Sequence, residues 1–294
     1  MPCRLPSHSR CLPFENHGDS VKKLLNIPKY QVQSYEICRK IRIFAKDFCE
    51  NRLHLSIRAS SSAFGLHCLC RLKTTLFKII GTNTYTIMKV LLINGSPRKK
   101  GNTFLALSEA AKTLEQQGIE TEIVQIGTKA VRGCIACGQC KIKQLGRCVF
   151  DDDVCNRISE KLDTADALIV GSPVYYGQPN GSVLSLVQRM FFSAGEKVVN
   201  KPAAAVCVCR RGGATAAYQT MNMPFQMMNM PVVTSQYWNI VYGREEGQAA
   251  LDTEGMQTMR TMANNMAWLL KKIHRDGNPD YPEREQWQPM HFIR

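Results

Sequence analysis

Four cysteines in the middle of the chain are spaced closely enough to act on one centre. Cys134, Cys137 and Cys140 form a CxxCxxC run, and Cys148 follows after seven further residues. Four thiolates at this spacing can chelate a [4Fe–4S] cluster or a zinc ion, and neighbouring glycines let the backbone wrap around such a centre. The same side chains could instead stay free thiols with a redox role. The residues by themselves leave these three chemistries open.

A second group of residues suits the binding of a phosphate. The string GSPRKKGNT follows a short apolar stretch, and it leads into a predicted helix. Backbone N–H groups at a helix N-terminus can surround a phosphate, together with hydroxyl and amide side chains. The string contains neither the GxxxxGK[ST] of P-loop proteins nor the GxGxxG of dinucleotide-binding folds. The alternative is an ordinary strand–helix loop in which Asn or Thr caps the helix.

Two further loops carry residues suited to a flat heterocyclic ring. The segment Ser172–Gln178 (SPVYYGQ) offers apolar and aromatic walls together with backbone polar groups. The segment Cys209–Thr215 (CRRGGAT) combines glycines that permit close backbone approach with arginines that could face an anion. Two arginines beside two glycines are also typical of a solvated helix start. Ligands of parallel α/β sheets bind at the carboxyl ends of the strands, where we expect these loops to lie.

Strands and helices alternate from Met88 onward and would position these loops. The predicted strands are Lys89–Asn94, Glu120–Ile126, Ala167–Gly171, Ala203–Cys209 and Val232–Ile240. The predicted helices are Thr103–Gln117, Asp151–Leu162, Ser182–Phe192, Thr215–Met228 and Gly255–His274. This alternation predicts an α/β fold of three layers, in which a five-stranded parallel sheet has helices on both faces.

Residues 1–87 differ from the rest of the chain. Their apolar residues show no sustained period, and they hold 14 Lys and Arg against 5 Asp and Glu, which is +9 of the total formal charge of +14. A basic excess concentrated there does not indicate a nucleic-acid groove on the folded part, so we expect no nucleic-acid partner. We expect 1–87 to be an extension without independent fold, translated upstream of a natural start at Met88. A transit peptide is the alternative.

The distribution of apolar residues along the chain also indicates the cellular compartment of the protein. No run approaches the roughly 18–20 apolar residues that span a bilayer, and the first thirty residues lack an apolar signal region. We therefore expect a cytoplasmic protein without membrane insertion, where clustered cysteines serve metal or redox chemistry. The remaining cysteines of the domain, Cys155, Cys207 and Cys209, lie on predicted elements and should pack as small apolar residues.

Two of these strings together resemble a known family. GSPRKKGNT after the first strand resembles the phosphate loop of flavodoxin-like NAD(P)H-dependent FMN reductases and multimeric flavodoxins, and SPVYYG with the helix containing QRMFF resembles their second flavin loop. The resemblance covers about Lys89 to Arg294 and implies that 88–294 is a flavodoxin-like FMN-binding domain. The residues that it implies for the cofactor are Ser96, Arg98, Asn102, Thr103, Pro173, Val174, Tyr175, Tyr176, Gly177, Gln178, Arg211 and Gly212.

The cysteine motif resembles that of iron–sulfur flavoproteins, a branch of the same fold. That resemblance implies a [4Fe–4S] cluster on Cys134, Cys137, Cys140 and Cys148, close to the flavin. The last spacing is longer here than in the compact motif, and zinc or free thiols over the flavin remain as alternatives. Many members also carry an acidic residue where this chain has Gln188, which we interpret as a change at the helix face or a subunit interface.

The resemblance implies an FMN-dependent oxidoreductase. Electrons from NAD(P)H would pass through bound FMN to a flavin, a quinone or another small acceptor. No acid, base or nucleophile is evident, so no catalytic side chain is predicted. The alternatives are a non-enzymatic electron carrier of the iron–sulfur flavoprotein type that serves redox proteins, and a flavin-binding thiol sensor. A homodimer or homotetramer is expected, with the Met-rich stretch Met221–Met230 suited to its interface.

Overall fold

The computed structural model describes residues 87–286 and 288–290, so the segment 1–87 lies outside the described residues except for Ile87. The strands are β1 (Lys89–Asn94), β2 (Glu120–Gln125), β3 (Ala167–Tyr175), β4 (Gln178–Pro179), β5 (Ala203–Cys209) and β6 (Ile240–Tyr242). The helices are α1 (Asn102–Gln116), α2 (Gln139–Ile142), α3 (Cys155–Lys161), α4 (Gly181–Ala194), α5 (Ala214–Met227) and α6 (Thr253–Ile273).

Five strands form one parallel sheet in the order β2-β1-β3-β5-β6, and the two-residue β4 pairs antiparallel with the end of β3. With β4 set aside this is the doubly wound order of flavodoxin-like folds. The predicted fold class is confirmed. Asn94 at the end of β1 is in register with Gln125 of β2 and Gly171 of β3, so the loops that follow these strands start at one edge.

The sheet separates two apolar layers. Alternate residues of β1 point to opposite faces: Leu91 and Ile93 pack with α3, α4 and α5, whereas Val90 and Leu92 pack with α1 and α6. The predicted packing of Cys155, Cys207 and Cys209 is confirmed, because all three lie buried in the first layer. Burial raises the pKa of Cys207 to about 12, so this thiol stays protonated and inert.

Three elements have a boundary that differs from prediction by four residues or more. The last strand is Ile240–Tyr242 and not Val232–Ile240; Val232 makes only an isolated bridge to Ala203. The buried amide of Asn239 donates to the carbonyls of Ala205 and Val233 and so occupies groups that a longer strand would have paired.

Helix α3 begins at Cys155 and not at Asp151, because the carboxylate of Asp153 accepts from the backbone N–H of Cys155 ahead of the helix. β3 runs past Gly171 to Tyr175, where it forms a hairpin with the unpredicted β4. Among the described residues, no helix has the length and apolar character needed to cross a bilayer.

Candidate functional site

The loop after β1, here called the phosphate loop (residues 95–101), is fixed by residues at the strand ends. The Asn94 carboxamide accepts from the Ser96 backbone N–H at 3.1 Å and donates to the Gln125 side chain at 2.5 Å. Gln125 in turn donates to the carbonyl of Ser96. The Ser96 hydroxyl, 5% exposed, accepts from the Arg98 backbone N–H at 3.1 Å. The loop is therefore held in shape by the protein itself.

Asn180 and Gly95 join the phosphate loop to the chain around β3. The backbone N–H of Gly95 donates to the Gly171 carbonyl, and the Asn180 amide donates to the Gly95 carbonyl, each at 2.8 Å. A Cβ on Gly95 would lie 2.1 Å from a methyl group of Val183 and 2.6 Å from the Gly171 carbonyl oxygen. Only glycine fits this approach.

Asn102 connects the phosphate loop to the segment after β6. Its Nδ2 donates to the Glu245 carbonyl at 2.8 Å, and its Oδ1 accepts from the Ala249 backbone N–H at 3.1 Å. The amide of this predicted cofactor ligand is thus bonded to protein on both sides. Of the other predicted phosphate ligands, Thr103 is buried in the first turn of α1 and Arg98 is exposed.

The second predicted loop is the β3–β4 hairpin. Its two turn residues, Tyr176 and Gly177, both have positive φ (52° and 75°), as a type I′ hairpin turn requires. Tyr176 is fully exposed and Tyr175 is about half exposed, while Pro173 and Val174 are half-buried below them. Gln178, also exposed, accepts from the Thr220 hydroxyl of α5 at 3.3 Å.

The third predicted loop contacts the second. Gly213 has a φ of 87° and lies directly against the β3–β4 hairpin. A Cβ at Gly213 would be 2.8 Å from the Cα of Gly177 and 3.6 Å from the Val174 side chain. Arg211 and Gly212 beside it are exposed, and a Cβ on Gly212 would meet no heavy atom within 4 Å. The structure therefore places all three predicted loops together along the carboxyl edge of the sheet.

The long helices differ in whether a side chain caps their N-terminus. Of the four described helices with fourteen or more residues, α4 and α6 are capped by the side chains of Asn180 and Asp252. α1 and α5, which begin at the phosphate loop and the third loop, have no side-chain cap among the described residues. The first N–H groups of an uncapped helix need external acceptors and favour an anion. The residues present therefore fit a phosphate-bearing cofactor.

All four motif cysteines line one pocket, here called the cysteine pocket. Cys134 and Cys137 are exposed, and Cys140 and Cys148 are buried. Arg189, Phe192 and Ser193 of α4 complete the wall, so the pocket lies along the second half of that helix. The rise of 1.5 Å per residue puts Arg189 about 14 Å along the axis from the Asn180 cap at the phosphate loop.

The donor chemistry of the cysteine pocket fits a metal centre. Among the described residues, however, no three ligand-type side chains lie close enough together to hold an ion. Cys148 is already fixed, because the buried Asn156 side chain accepts from its N–H at 2.9 Å and donates to its carbonyl at 3.0 Å.

A buried ion pair lies beside the cysteine pocket, because Arg189 of the pocket wall pairs with Asp153. The side chains of Arg189 and Asp153 are 2% and 3% exposed and directly hydrogen bonded. Burial raises the pKa of Asp153, but the hydrogen bonds from Arg189, Cys155 N–H and Arg132 N–H outweigh it and leave the pKa below the ordinary value. Burial likewise raises the pKa of the nearby Cys155 thiol, more than Arg189 lowers it. Asp153 is thus a carboxylate and Cys155 a neutral thiol.

The Met-rich stretch is divided between core and surface. Met221 and Met230 are buried, whereas Met223 and Met227 are 66% and 81% exposed on the outer face of α5. Gln188 is exposed, in keeping with a change at a helix face. Arg189, the residue after Gln188 in α4, is buried and forms the ion pair with Asp153.

The strand order and the three loops at the carboxyl edge of the sheet place the protein in the class of flavodoxin-like flavoproteins. The model of the NADPH-dependent FMN reductase family matches residues 88–245, and the chain belongs to that family. It is 35% identical to an iron–sulfur flavoprotein of Methanocaldococcus jannaschii, over 63% of this chain and 99% of that one. It is 32% identical to an iron–sulfur flavoprotein of Methanosarcina thermophila, over 64% and 98% respectively.

Among solved structures, the apo form of an NADH:FMN oxidoreductase superposes with a TM-score of 0.48 at 13% identity. The match covers 67% of this chain and 97% of that one.

Proposed function

We propose that the protein is an FMN-dependent oxidoreductase that takes electrons from NAD(P)H and passes them to a flavin, a quinone or another small acceptor. The observation that carries this proposal is the preformed carboxyl edge, where the phosphate loop, the β3–β4 hairpin and the third loop are tied together beside two uncapped helices. We place the FMN-binding domain at 88–294. When bound, FMN would supply the electron-transfer chemistry, and the protein supplies orientation and electrostatics.

Each loop would take one part of the cofactor. The first N–H groups of α1 and the Ser96 hydroxyl would hold the phosphate, with the α1 dipole favouring its charge. Pro173 and Val174 would form the apolar wall for the ring. Arg211 and the open backbone at Gly212 would face the polar edge of the ring. The exposed faces of Tyr175 and Tyr176 suit stacking with the ring of a donor or acceptor.

Flavin titration tests this assignment. Ser96→Ala removes a hydroxyl that would bind a charged group, a contact worth about 1.5–3 kcal/mol, so FMN affinity should fall roughly 10- to 100-fold. Gly212→Ala should leave stability unchanged, because its Cβ meets open space, and should weaken FMN through contact with the ring. The measurement is quenching of FMN fluorescence, paired with urea unfolding of each variant.

Thr113→Ala is the matched control, since it removes a buried hydroxyl from the far end of α1. Equal loss of affinity in Thr113→Ala and Ser96→Ala would show a general stability effect. A wild-type protein that does not quench FMN would refute flavin binding. Oxidation of NADH or NADPH with a free acceptor then separates an enzyme from an electron carrier.

A second candidate is an electron carrier of the iron–sulfur flavoprotein type with a redox protein as partner. The observation that favours it is the convergence of four cysteines on one pocket. Cys134, Cys137, Cys140 and Cys148 would supply the thiolates of a [4Fe–4S] cluster. The exposed Met223 and Met227 support a homodimer or homotetramer through α5.

Iron and acid-labile sulfide in anaerobically purified protein test the cluster. Each of the four single Cys→Ala variants should lose most of its iron, because a cluster needs all of its ligands. Cys207→Ala is the matched control and should keep its iron, since this thiol is buried in the core away from the pocket. Zinc in place of iron, or metal-free protein with reversible thiol oxidation, would contradict the cluster and favour the corresponding alternative.

A further inference from the structure

Three exposed aromatic residues flank the edge strand β6 and are here called the aromatic surface. Tyr237 and Trp238 come just before the strand and Tyr242 ends it, with exposed fractions of 60%, 45% and 47%. The rings of Tyr237 and Trp238 are in contact, with centroids 4.8 Å apart and planes tilted by 51°. Large aromatic side chains that stay exposed together are typical of a binding surface.

Hydrogen bonds hold the aromatic surface in shape. The Ser235 hydroxyl donates to the Tyr237 carbonyl at 2.6 Å, and the Tyr242 N–H donates to the Asp252 carboxylate at 2.7 Å. Burial raises the pKa of Tyr242, and Tyr237 is among the ionisable groups that raise it further, so these two side chains lie near each other. A surface fixed in this way loses little conformational freedom when a ligand binds.

An arginine without a protein partner lies beside the aromatic surface. Cys209, the last residue of β5, is in register with Tyr242, and its carbonyl accepts from the Gly243 N–H at 2.9 Å. Arg210 comes next and is exposed, and its side chain forms no hydrogen bond or ion pair with any residue that the structure describes. Such a guanidinium suits a phosphate or pyrophosphate group.

The order of these groups along the sheet matches the order of the parts of a dinucleotide. The β3–β4 hairpin, Arg210 and the aromatic surface belong to the neighbouring strands β3, β5 and β6. Adjacent strands lie about 4.8 Å apart, so the hairpin and the aromatic surface are separated by about 10 Å, with the arginine between them. A nicotinamide dinucleotide has a ring at each end and its pyrophosphate in the middle.

We propose that Arg210 and the aromatic surface bind the adenosine half of NAD(P)H, with Arg210 on the pyrophosphate and Trp238 stacked on the adenine. This inference rests on the proposed function, because it needs NAD(P)H as the donor. The nicotinamide ring then lies at the hairpin, where the flavin ring is placed. The edge strand β6 therefore contributes donor affinity, while hydride transfer depends on the flavin loops.

Trp238→Ala tests the proposal in steady-state oxidation of NADH and NADPH by the FMN-loaded, full-length protein. Loss of one base–aromatic stack should raise the KM for both donors about tenfold, with kcat and FMN affinity close to wild type. Trp238→Phe keeps an aromatic face and should restore most of the affinity. Trp268→Ala is the matched control, because Trp268 is also exposed but lies about 22 Å along α6 from the carboxyl edge.

A shortened donor tests the proposal without any substitution. Reduced nicotinamide mononucleotide has the ring that gives up hydride but lacks the adenosine half. Wild-type protein should use it with a kcat/KM at least about tenfold below that for NADH, and Trp238→Ala should use it as well as wild type does. Equal kcat/KM for the two donors in wild type, or equal losses on both in Trp238→Ala, would overturn the proposal.

The possible failures are distinguishable. Wild-type protein that binds FMN but oxidises neither NADH nor NADPH would overturn the proposed donor, and this inference with it. Turnover of both donors with an unchanged KM in Trp238→Ala would overturn the inference alone. If Trp238→Ala changes the oligomeric state in gel filtration and leaves the KM unchanged, the aromatic surface is an interface between copies of this chain, and the proposal is wrong.

Discussion

Asp153→Asn should lower the free energy of unfolding by about 3–5 kcal/mol, the loss typical when one partner of a buried ion pair is removed. The substitution leaves the Arg189 guanidinium buried and uncompensated. It also weakens the acceptor for the N–H groups of Arg132 and Cys155, which anchor the cysteine loop and the start of α3. Urea unfolding followed by circular dichroism measures the change.

The neighbouring Asp152 provides the control. Its ion pair with Arg132 is about half exposed, at side-chain exposures of 55% and 43%, and solvent screens the attraction within exposed pairs. Asp152→Asn should therefore change the free energy of unfolding much less than Asp153→Asn does. If the two variants unfold at the same urea concentration, the buried Asp153–Arg189 pair contributes no more to stability than the exposed Asp152–Arg132 pair, and the prediction is wrong.

The same ion pair predicts how stability depends on pH. The pKa of Asp153 is lower in the folded protein than the value of about 3.9 in an unfolded chain. Its contribution is complete above that unfolded value and is lost as the pH falls through the lower, folded value. Acid unfolding below about pH 4 should therefore be less steep in Asp153→Asn than in the wild type.

Gly95→Ala should damage both folding and flavin binding. The new Cβ would collide with Val183 and with the Gly171 backbone carbonyl, and neither can retreat without moving α4 or β3. Overpacking of this kind typically costs about 1–3 kcal/mol. Displacement of the phosphate loop from Gly171 should reduce FMN affinity at least tenfold, in line with a loss of about 1.4 kcal/mol or more. Thermal unfolding and FMN titration measure the two effects.

Gly181→Ala is its counterpart. Gly181 begins α4 close to the same loops, but a Cβ there meets no atom within 4 Å. Alanine should be neutral, or stabilise the protein by about 0.4–1 kcal/mol, with flavin affinity preserved. Loss of affinity in Gly181→Ala equal to that in Gly95→Ala would mean that the close contact of Gly95 is not what organises the site.

Sequence patterns predicted the elements whose signals are local. β1 and β5 are uninterrupted apolar runs, and their bounds agree with prediction. The last strand was misplaced because the Asn239 side chain replaces backbone pairing, a contact that no local pattern reveals. The β3–β4 hairpin was missed because its turn is Tyr176–Gly177, and an Asn-Gly pair is the usual signal.

The site shows the same division. Loop composition indicated which loops meet at the carboxyl edge, and the cysteine spacing indicated which thiols share a pocket. The side chains that hold these parts in place, Asn94, Gln125, Asn180 and Arg189, were not predicted. Their partners lie up to 85 positions away, and single polar residues at such distances carry no periodic signal. The one local signal was an amide at the end of an apolar strand, as at Asn94.

The two hydrogen bonds of Asn102 span 143 and 147 positions of sequence, and α6, which covers α1, is later still. During synthesis the phosphate loop and α1 leave the ribosome long before Glu245, Ala249 and α6 exist. At 5–20 residues per second, those 150 or so residues take roughly 8 to 30 seconds. Throughout that interval the part of α1 that packs against α6 is uncovered, so the nascent chain is exposed to aggregation and to chaperones until α6 emerges.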